Sequence, residues 1–306
     1  MKRLENRVAL ITGGARGQGR AMALKFASEG AHIALLDACR NFPTCDYDLA
    51  TEERLRATEA EVREFGVGCI AQVGDVRSQE DLDNLADAAF QEFGSIDIAC
   101  ANAGVHSFHS LWEMTEETWN EVVDICLTGV WKTARAVCRQ MMAQKSGVII
   151  VTASCMGQET GPDLSHYTAA KHGALGLVKS FAYELGPYNV RANAVMPSTI
   201  HDLMGDNPMT REWIFRRPDA STEDYVNATR HWHALRGRAA LPAAAVADAA
   251  VWLASDEAKH ITGVAIPVDA GHLVLPHYNT QPIVDEDIPV GPYENDGITV
   301  QGRPVS

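Results

Sequence analysis

The stretch Val8-Ala9-Leu10-Ile11-Thr12-Gly13-Gly14-Ala15-Arg16-Gly17-Gln18-Gly19 decides the fold. Its first five residues lack polar alternation, which describes a parallel strand covered on both faces. Glycines come immediately after, and Arg20–Glu29 then runs with helical periodicity to Gly30. In that order the glycines have a physical use. Gly13 permits a tight turn, Gly17 and Gly19 let backbone approach a pyrophosphate, and the helix amino end offers unpaired N–H groups and a positive dipole. A plain strand-to-helix turn is the competing reading, and the residues at the ends of the later strands decide between the two.

A second apolar strand, His32–Leu36, ends at Asp37. An acid about twenty residues beyond the glycines accepts hydrogen bonds from adenosine ribose hydroxyls and repels a 2′-phosphate, which favours NAD over NADP. Arg16 and Arg40 are the side chains that could instead reach a phosphate. Cys39 to Thr51 is irregular, with Pro43, Asp46, Tyr47 and Asp48. It exceeds the usual connection of about two to six residues, so 38–51 reads as an insertion beside the adenosine end. A helix capped at Thr51 with Glu52 and Glu53 in its first turn comes next. The third strand, Cys69–Val73, leads to Asp75-Val76, where Asp75 suits either an adenine amino group or a helix cap. Gln79–Phe93 is an amphipathic helix, and a fourth strand, Ile96–Ala101, runs into Asn102-Ala103-Gly104, small residues against which a cofactor ribose can lie.

Thr115–Met142 reads as one long helix with Thr115 as its cap. Val148–Thr152 is the fifth strand, Tyr167–Leu185 a helix, Val190–Met196 the sixth strand, Ala244–Ser255 a helix and Ala265–Val268 the seventh strand. Strands alternating with helices predict an α/β fold: a Rossmann-type doubly wound parallel seven-stranded sheet with helices on both faces, forming a single domain over 1–272. Within it, 198–241 carries Met204, Met209, Trp213, Phe215 and Trp232, which suits a lid over an apolar substrate; Trp112 joins the same group. A surface helical pair or a subunit contact is the alternative for that segment. Residues 273–306 have little apolar periodicity and read as a C-terminal extension draped over a surface, with a neighbouring subunit as candidate, or as partly unstructured.

Ser154 stands just past the fifth strand, thirteen residues ahead of Tyr167-Thr168-Ala169-Ala170-Lys171. Tyr167 and Lys171 lie one helical turn apart and share a face. A phenol beside an ammonium ionises more easily, which makes it a usable acid and base for an alcohol or carbonyl. Tyr-x-x-x-Lys alone is common on plain helix faces; its place at the carboxyl ends of parallel strands, where ligands bind, gives it weight. His106, His109 and His166 fall near the same mouth.

Composition narrows the partners. The 306 residues are 46% hydrophobic, enough for a sizeable core, and carry a net charge of −14, which argues against nucleic acid or an anionic membrane. No secretory leader and no membrane-length apolar run is expected. The seven cysteines are odd in number and scattered, without metal-type pairs, so a reduced, cytoplasmic protein with no metal site is predicted.

Taken together, Thr12-Gly13-x-x-x-Gly17-x-Gly19, Asp37, Asn102-Ala103-Gly104, Ser154, Tyr167-x-x-x-Lys171 and Val268-Asp269-Ala270-Gly271 resemble the short-chain dehydrogenase/reductase family over roughly Leu4–Gly271. The insertion and Gly17-Gln18-Gly19-Arg20 are similar to the carveol-dehydrogenase-like branch of actinobacteria. The resemblance implies an NAD-dependent enzyme interconverting a hydrophobic, terpenoid-like cyclic secondary alcohol and its ketone. Tyr167 would be the acid/base, Lys171 would lower its pKa and hold the nicotinamide ribose, and Ser154 would bond the substrate oxygen. NAD would lie against Gly13, Arg16, Gly17, Gln18, Gly19, Asp37, Asp75, Val76, Asn102, Ala103, Gly104, Pro197 and Ile200. The resemblance further implies a homotetramer and NAD held tightly and reoxidised in place by the redox peptide mycofactocin. Two positions depart from the family pattern. Cys126 replaces an Asn that anchors a proton-relaying water, and Asp202 stands at the place of a Thr that meets the nicotinamide amide. These departures leave a second reading open, an NAD-binding sensor or partner subunit with impaired catalysis.

Overall fold

The computed structural model describes residues 2–235 and 239–275, together with the backbone of a short antiparallel pairing between Thr299–Val300 and Arg303–Pro304. A compact unit runs to Leu275. Most of the expected extension at 273–306 lies outside the described residues.

Seven strands form one parallel sheet in the order β3-β2-β1-β4-β5-β6-β7: β1 (Val8–Thr12), β2 (His32–Asp37), β3 (Cys69–Val73), β4 (Ile98–Ala101), β5 (Gly147–Thr152), β6 (Val190–Pro197) and β7 (Ala265–Val268). Alternate residues along each strand enter two separate cores. Leu10, Leu36, Ala99, Ile149 and Val151 face one, while Ala9, Ile11, Leu35, Ile98 and Ile150 face the other. Helix α1 (Gly17–Ser28), α2 (Glu52–Arg63) and α9 (Ala243–Ala254) cover the second core through Met22, Phe26, Leu55 and Val251. Helices α3 (Gln79–Phe93), α4 (Glu116–Val123), α5 (Gly129–Gln144) and α6 (Ser165–Leu185) cover the first. Strands buried on both faces explain the near-continuous apolar runs of β1, β2 and β5. The strand order reverses between β1 and β4, which opens a crevice at their carboxyl ends.

The predicted Thr115–Met142 helix is interrupted. α4 passes through a π-helical segment, Asp124–Thr128, before α5 begins. Such a bulge accommodates one extra residue per turn and re-aims side chains, and it carries Cys126 inward, where the thiol is fully buried. Thr115 caps α4 by accepting from the Thr118 N–H, and Thr51 caps α2 from Arg54. α1 begins at Gly17 rather than Arg20, so the turn's last glycines already belong to the helix. In 198–241, α7 (Pro208–Phe215) and α8 (Thr222–Thr229) form two short helices, the second started by a Ser221/Asp224 capping box.

Candidate active site

Each candidate residue stands at a strand end or on the first turns of the following helix. At the β1–α1 turn, Gly17 has φ +53°, a conformation that suits glycine, and a Cβ on Gly19 would overlap the Gly13 carbonyl oxygen. Asn102 ties this turn to its neighbours: its Nδ2 donates to the Thr12 carbonyl at 3.0 Å, and the Thr152 hydroxyl donates to its Oδ1 at 3.0 Å. Asn102 thus fixes the ends of β1, β4 and β5 relative to one another. Asp37 is aimed by the N–H groups of Ala15 and Cys39, at 3.0 and 3.1 Å.

Gly13, Arg16, Gly17, Gln18, Asp37 and Asp75 line one elongated cleft, together with Val76, Asn102, Ala103, Gly104, Tyr167 and Lys171. Gly19 lies beneath it, as helix backbone packed on Gly13. Asp75 is held by Arg77 at 2.7 Å and Arg40 at 2.8 Å. Burial alone would raise its carboxyl pKa, but these two guanidinium groups hold it down to about 2. Ser78, not Asp75, caps α3. Arg40 is therefore engaged with a carboxylate of its own chain, and with Arg77 it flanks the Phe42 ring at 5.4 and 4.6 Å.

A second cavity, of about 380 Å³, adjoins the first and falls within the usual range of small-molecule sites. Ser154, Tyr167, Pro197 and Ile200 line it, with the expected Met204, Trp213 and Trp232. Trp112 corrects the lid expectation. It sits on the Ser110–Met114 turn, 85% exposed and outside the cavity, because that turn projects its tip into solvent. His106 also lines the cavity, its ring 5.8 Å from that of Tyr167. Burial pushes its pKa down to about 4, with His166 adding to the effect, so the imidazole is neutral at physiological pH. His166 is buried against the Ser107 hydroxyl at 3.0 Å, with His109 at 6.4 Å, ring to ring.

Tyr167 is common to both cavities. Its phenol pKa is pushed up, chiefly by burial and then by Cys126, while the Ser154 hydroxyl beside it pulls the other way. Ser154 Oγ accepts from the Met156 N–H at 3.1 Å, which orients the hydroxyl hydrogen away from that backbone. Lys171 lies over the Tyr167 ring, 5.4 Å from its centroid, and Nζ donates to the Thr152 carbonyl at 2.8 Å. The expected lowering of the tyrosine by this lysine is therefore outweighed here by burial, which also lowers the lysine's own pKa. Cys126 exchanges hydrogen bonds with the Val105 backbone, donating to its carbonyl at 3.2 Å and accepting from its N–H at 3.4 Å.

Asp202 adjoins the phosphate-type turn. Its Oδ1 accepts from the N–H groups of Met204 and Gly205, while a Cβ on Gly17 would come within 2.9 Å of Oδ2. Other participants meet here only through the fold. Glu159 and His272, which pair at 2.6 Å, both line the apolar cavity, and Tyr225 lines it from α8. No local sequence pattern marks them, because they lie far apart in the chain. All seven cysteines are free. Among the described residues there is no cluster suited to a metal, and no helix is long and apolar enough to cross a membrane.

A family model described as enoyl-(acyl carrier protein) reductase matches residues 13–272. The (-)-trans-carveol dehydrogenase of Rhodococcus erythropolis is 40% identical over 279 residues, spanning 89% of this chain and 99% of that protein. The crystal structure of carveol dehydrogenase from Mycobacterium avium in complex with NAD matches with a TM-score of 0.87 and 35% identity, over 90% of this chain and 100% of that one. A short chain dehydrogenase from Mycobacterium paratuberculosis bound to NAD matches with a TM-score of 0.81 and 35% identity, over 89% and 100%. The seven-stranded parallel sheet agrees with these matches, and the chain belongs to the short-chain dehydrogenase/reductase family of oxidoreductases.

Proposed function

We propose that this chain is an NAD-dependent dehydrogenase that interconverts a hydrophobic, terpenoid-like cyclic secondary alcohol and its ketone. One observation carries the reading: Tyr167 borders both the cleft lined by the glycine turn and Asp37 and the apolar cavity lined by Trp213 and Trp232. The cleft fits a dinucleotide. Its turn has space only where side chains are absent, Asp37 disfavours a 2′-phosphate, and Gln18 Oε1 is buried with no hydrogen-bond partner among the described residues. NAD held by these residues would supply the hydride acceptor. Tyr167 takes the substrate's hydroxyl proton in the oxidative direction and returns it in reduction. Ser154 donates to the substrate oxygen, and Lys171 positions the ribose and favours the phenolate once the cleft is filled.

Tight retention of NAD, with reoxidation in place by mycofactocin, is part of the proposal. It is supported by the insertion 38–51, whose Phe42, Leu49 and Ala50 line the cleft and whose buried Tyr47 accepts through its hydroxyl from the His106 N–H. A cytoplasmic homotetramer is the proposed setting, to be checked by sedimentation. Unfolding the purified protein and identifying the dinucleotide set free tests the cofactor assignment. Release of NAD is expected; release of NADP, or of none together with ready exchange of added NAD, would count against tight retention of NAD.

The burial of Cys126, with both its hydrogen bonds on Val105, favours one element of the sensor reading, namely that the proton route past Lys171 is weakened.

A further inference from the structure

The wall of the cavity beside Tyr167 includes a residue with a polar atom for which an apolar alcohol has no use. Tyr225, on lid helix α8, is fully buried and lines the same cavity as Ser154 and Tyr167. Its hydroxyl has no hydrogen-bond partner among the described residues. Buried polar groups are nearly always satisfied by protein, water or ligand, and a phenylalanine would present the same apolar wall. The backbone of Gly205 packs close against the group. A Cβ on Gly205 would come within 2.8 Å of the Tyr225 hydroxyl and would overlap the Ile200 carbonyl.

The nearby carboxylates are engaged elsewhere. Asp202 Oδ1 accepts from Met204 and Gly205, and Asp206 pairs with Arg211 at 2.6 Å. Burial first, and then the fields of Asp206 and Asp202, keep the Tyr225 phenol protonated and so able to donate. The same carboxylates would repel an anionic group and leave a neutral carbonyl or hydroxyl oxygen as the fitting acceptor.

From this geometry we propose that Tyr225 is a specificity-determining residue that donates a hydrogen bond to a second, neutral oxygen of the substrate. The preferred substrates are then cyclic secondary alcohols carrying a further keto or hydroxyl oxygen away from the reacting carbon. This rests on the reading of the cavity as the substrate site of a dehydrogenase.

The test compares the full-length protein with NAD, wild type and Tyr225→Phe, on cyclohexanol and on 3- and 4-hydroxycyclohexanone. Wild type is expected to favour a two-oxygen compound. Tyr225→Phe is expected to lose about tenfold in kcat/KM on it, chiefly through KM, with cyclohexanol changed by less than about twofold. Equal losses on both classes, or no preference in wild type, would overturn the proposal. Fluorescence quenching of Trp213 and Trp232 by cyclohexanone and by the cyclohexanediones gives a readout independent of turnover. Discrimination that vanishes in Tyr225→Phe, without oxidation of any alcohol, would keep the Tyr225 contact and refute the dehydrogenase reading. Turnover without discrimination would do the reverse. Thermal unfolding separates a structural role: a hydroxyl lacking an internal partner predicts a variant at least as stable as wild type, and a destabilised variant would overturn the proposal.

Discussion

Replacing Asp202 by asparagine removes one charge at the amino end of α1 and little else. A carbonyl oxygen remains to accept from the N–H groups of Met204 and Gly205. The charge matters because Oδ2 lies against Gly17, at the turn proposed to receive the pyrophosphate, close enough that a Cβ there would stand 2.9 Å away. Two unit charges about 5 Å apart repel by about 3 kcal/mol at an effective dielectric of about 20. Asp202 is only half-buried, and solvent screening reduces that to about 1 kcal/mol. The Asp202→Asn protein is therefore expected to bind NAD about fivefold more tightly. Calorimetric titration of NAD onto protein stripped of dinucleotide, at low and high salt, measures this. The gain should shrink as salt rises. Unchanged or weaker binding, or a gain indifferent to salt, would refute the electrostatic account of Asp202.

Three further outcomes are expected. Gly19→Ala should abolish the thermal stabilisation given by added NAD, since the new Cβ overlaps the Gly13 carbonyl; a normal shift would show that the turn can relax. His272 faces two acceptors, the Trp232 carbonyl at 2.8 Å and Glu159 at 2.6 Å, so both ring nitrogens donate and the ring is an imidazolium. The Glu159 hydrogen bond, opposed by burial and aided by the Trp232 carbonyl, raises its pKa above the unfolded value of about 6.5. Its stabilisation is then complete below about pH 6.5 and is lost as pH rises through the folded value. The Tm difference between wild type and His272→Gln should accordingly be widest in mild acid and close in alkali, and a difference constant with pH would contradict a charged ring. Cys126→Asn should raise the rate of alcohol oxidation about tenfold, because an amide holds hydrogen bonds that a thiol holds only weakly. An unchanged rate would show that the proton leaves by another route.

The parts of this molecule legible in its sequence are those whose cause is local. β1, β2 and β5 announce themselves because burial on both faces demands unbroken apolar runs, and Gly17 and Gly19 because only glycine fits where the turn closes on itself. Ser154, Tyr167 and Lys171 are legible from spacing, since a strand end and one helical turn are short-range geometry. What stays hidden depends on approach between distant segments. Asp75 has the position of a ligand or a cap, yet Arg40 from the insertion and Arg77 from its own turn claim it. Spacing alone makes Lys171 the dominant influence on Tyr167, yet the depth of the pocket outweighs it, and no periodicity reports depth. Trp112 carries a pocket residue's chemistry on a turn that faces outward, and Tyr225 is an ordinary helix residue in sequence until the fold sets it in the wall of the cavity.

Everything proposed for the reaction depends on Tyr167 joining a dinucleotide cleft to an alcohol cavity. Wild type and Tyr167→Phe are each mixed with cyclohexanol deuterated at the carbinol carbon, then unfolded, and the released dinucleotide is weighed by mass spectrometry. Deuterated NADH from the wild type is expected. From Tyr167→Phe, equal NAD content is expected, with label appearing at least about a hundredfold more slowly. Label arriving equally fast in both proteins, or absent from wild type across a panel of cyclic secondary alcohols, would contradict that role for Tyr167.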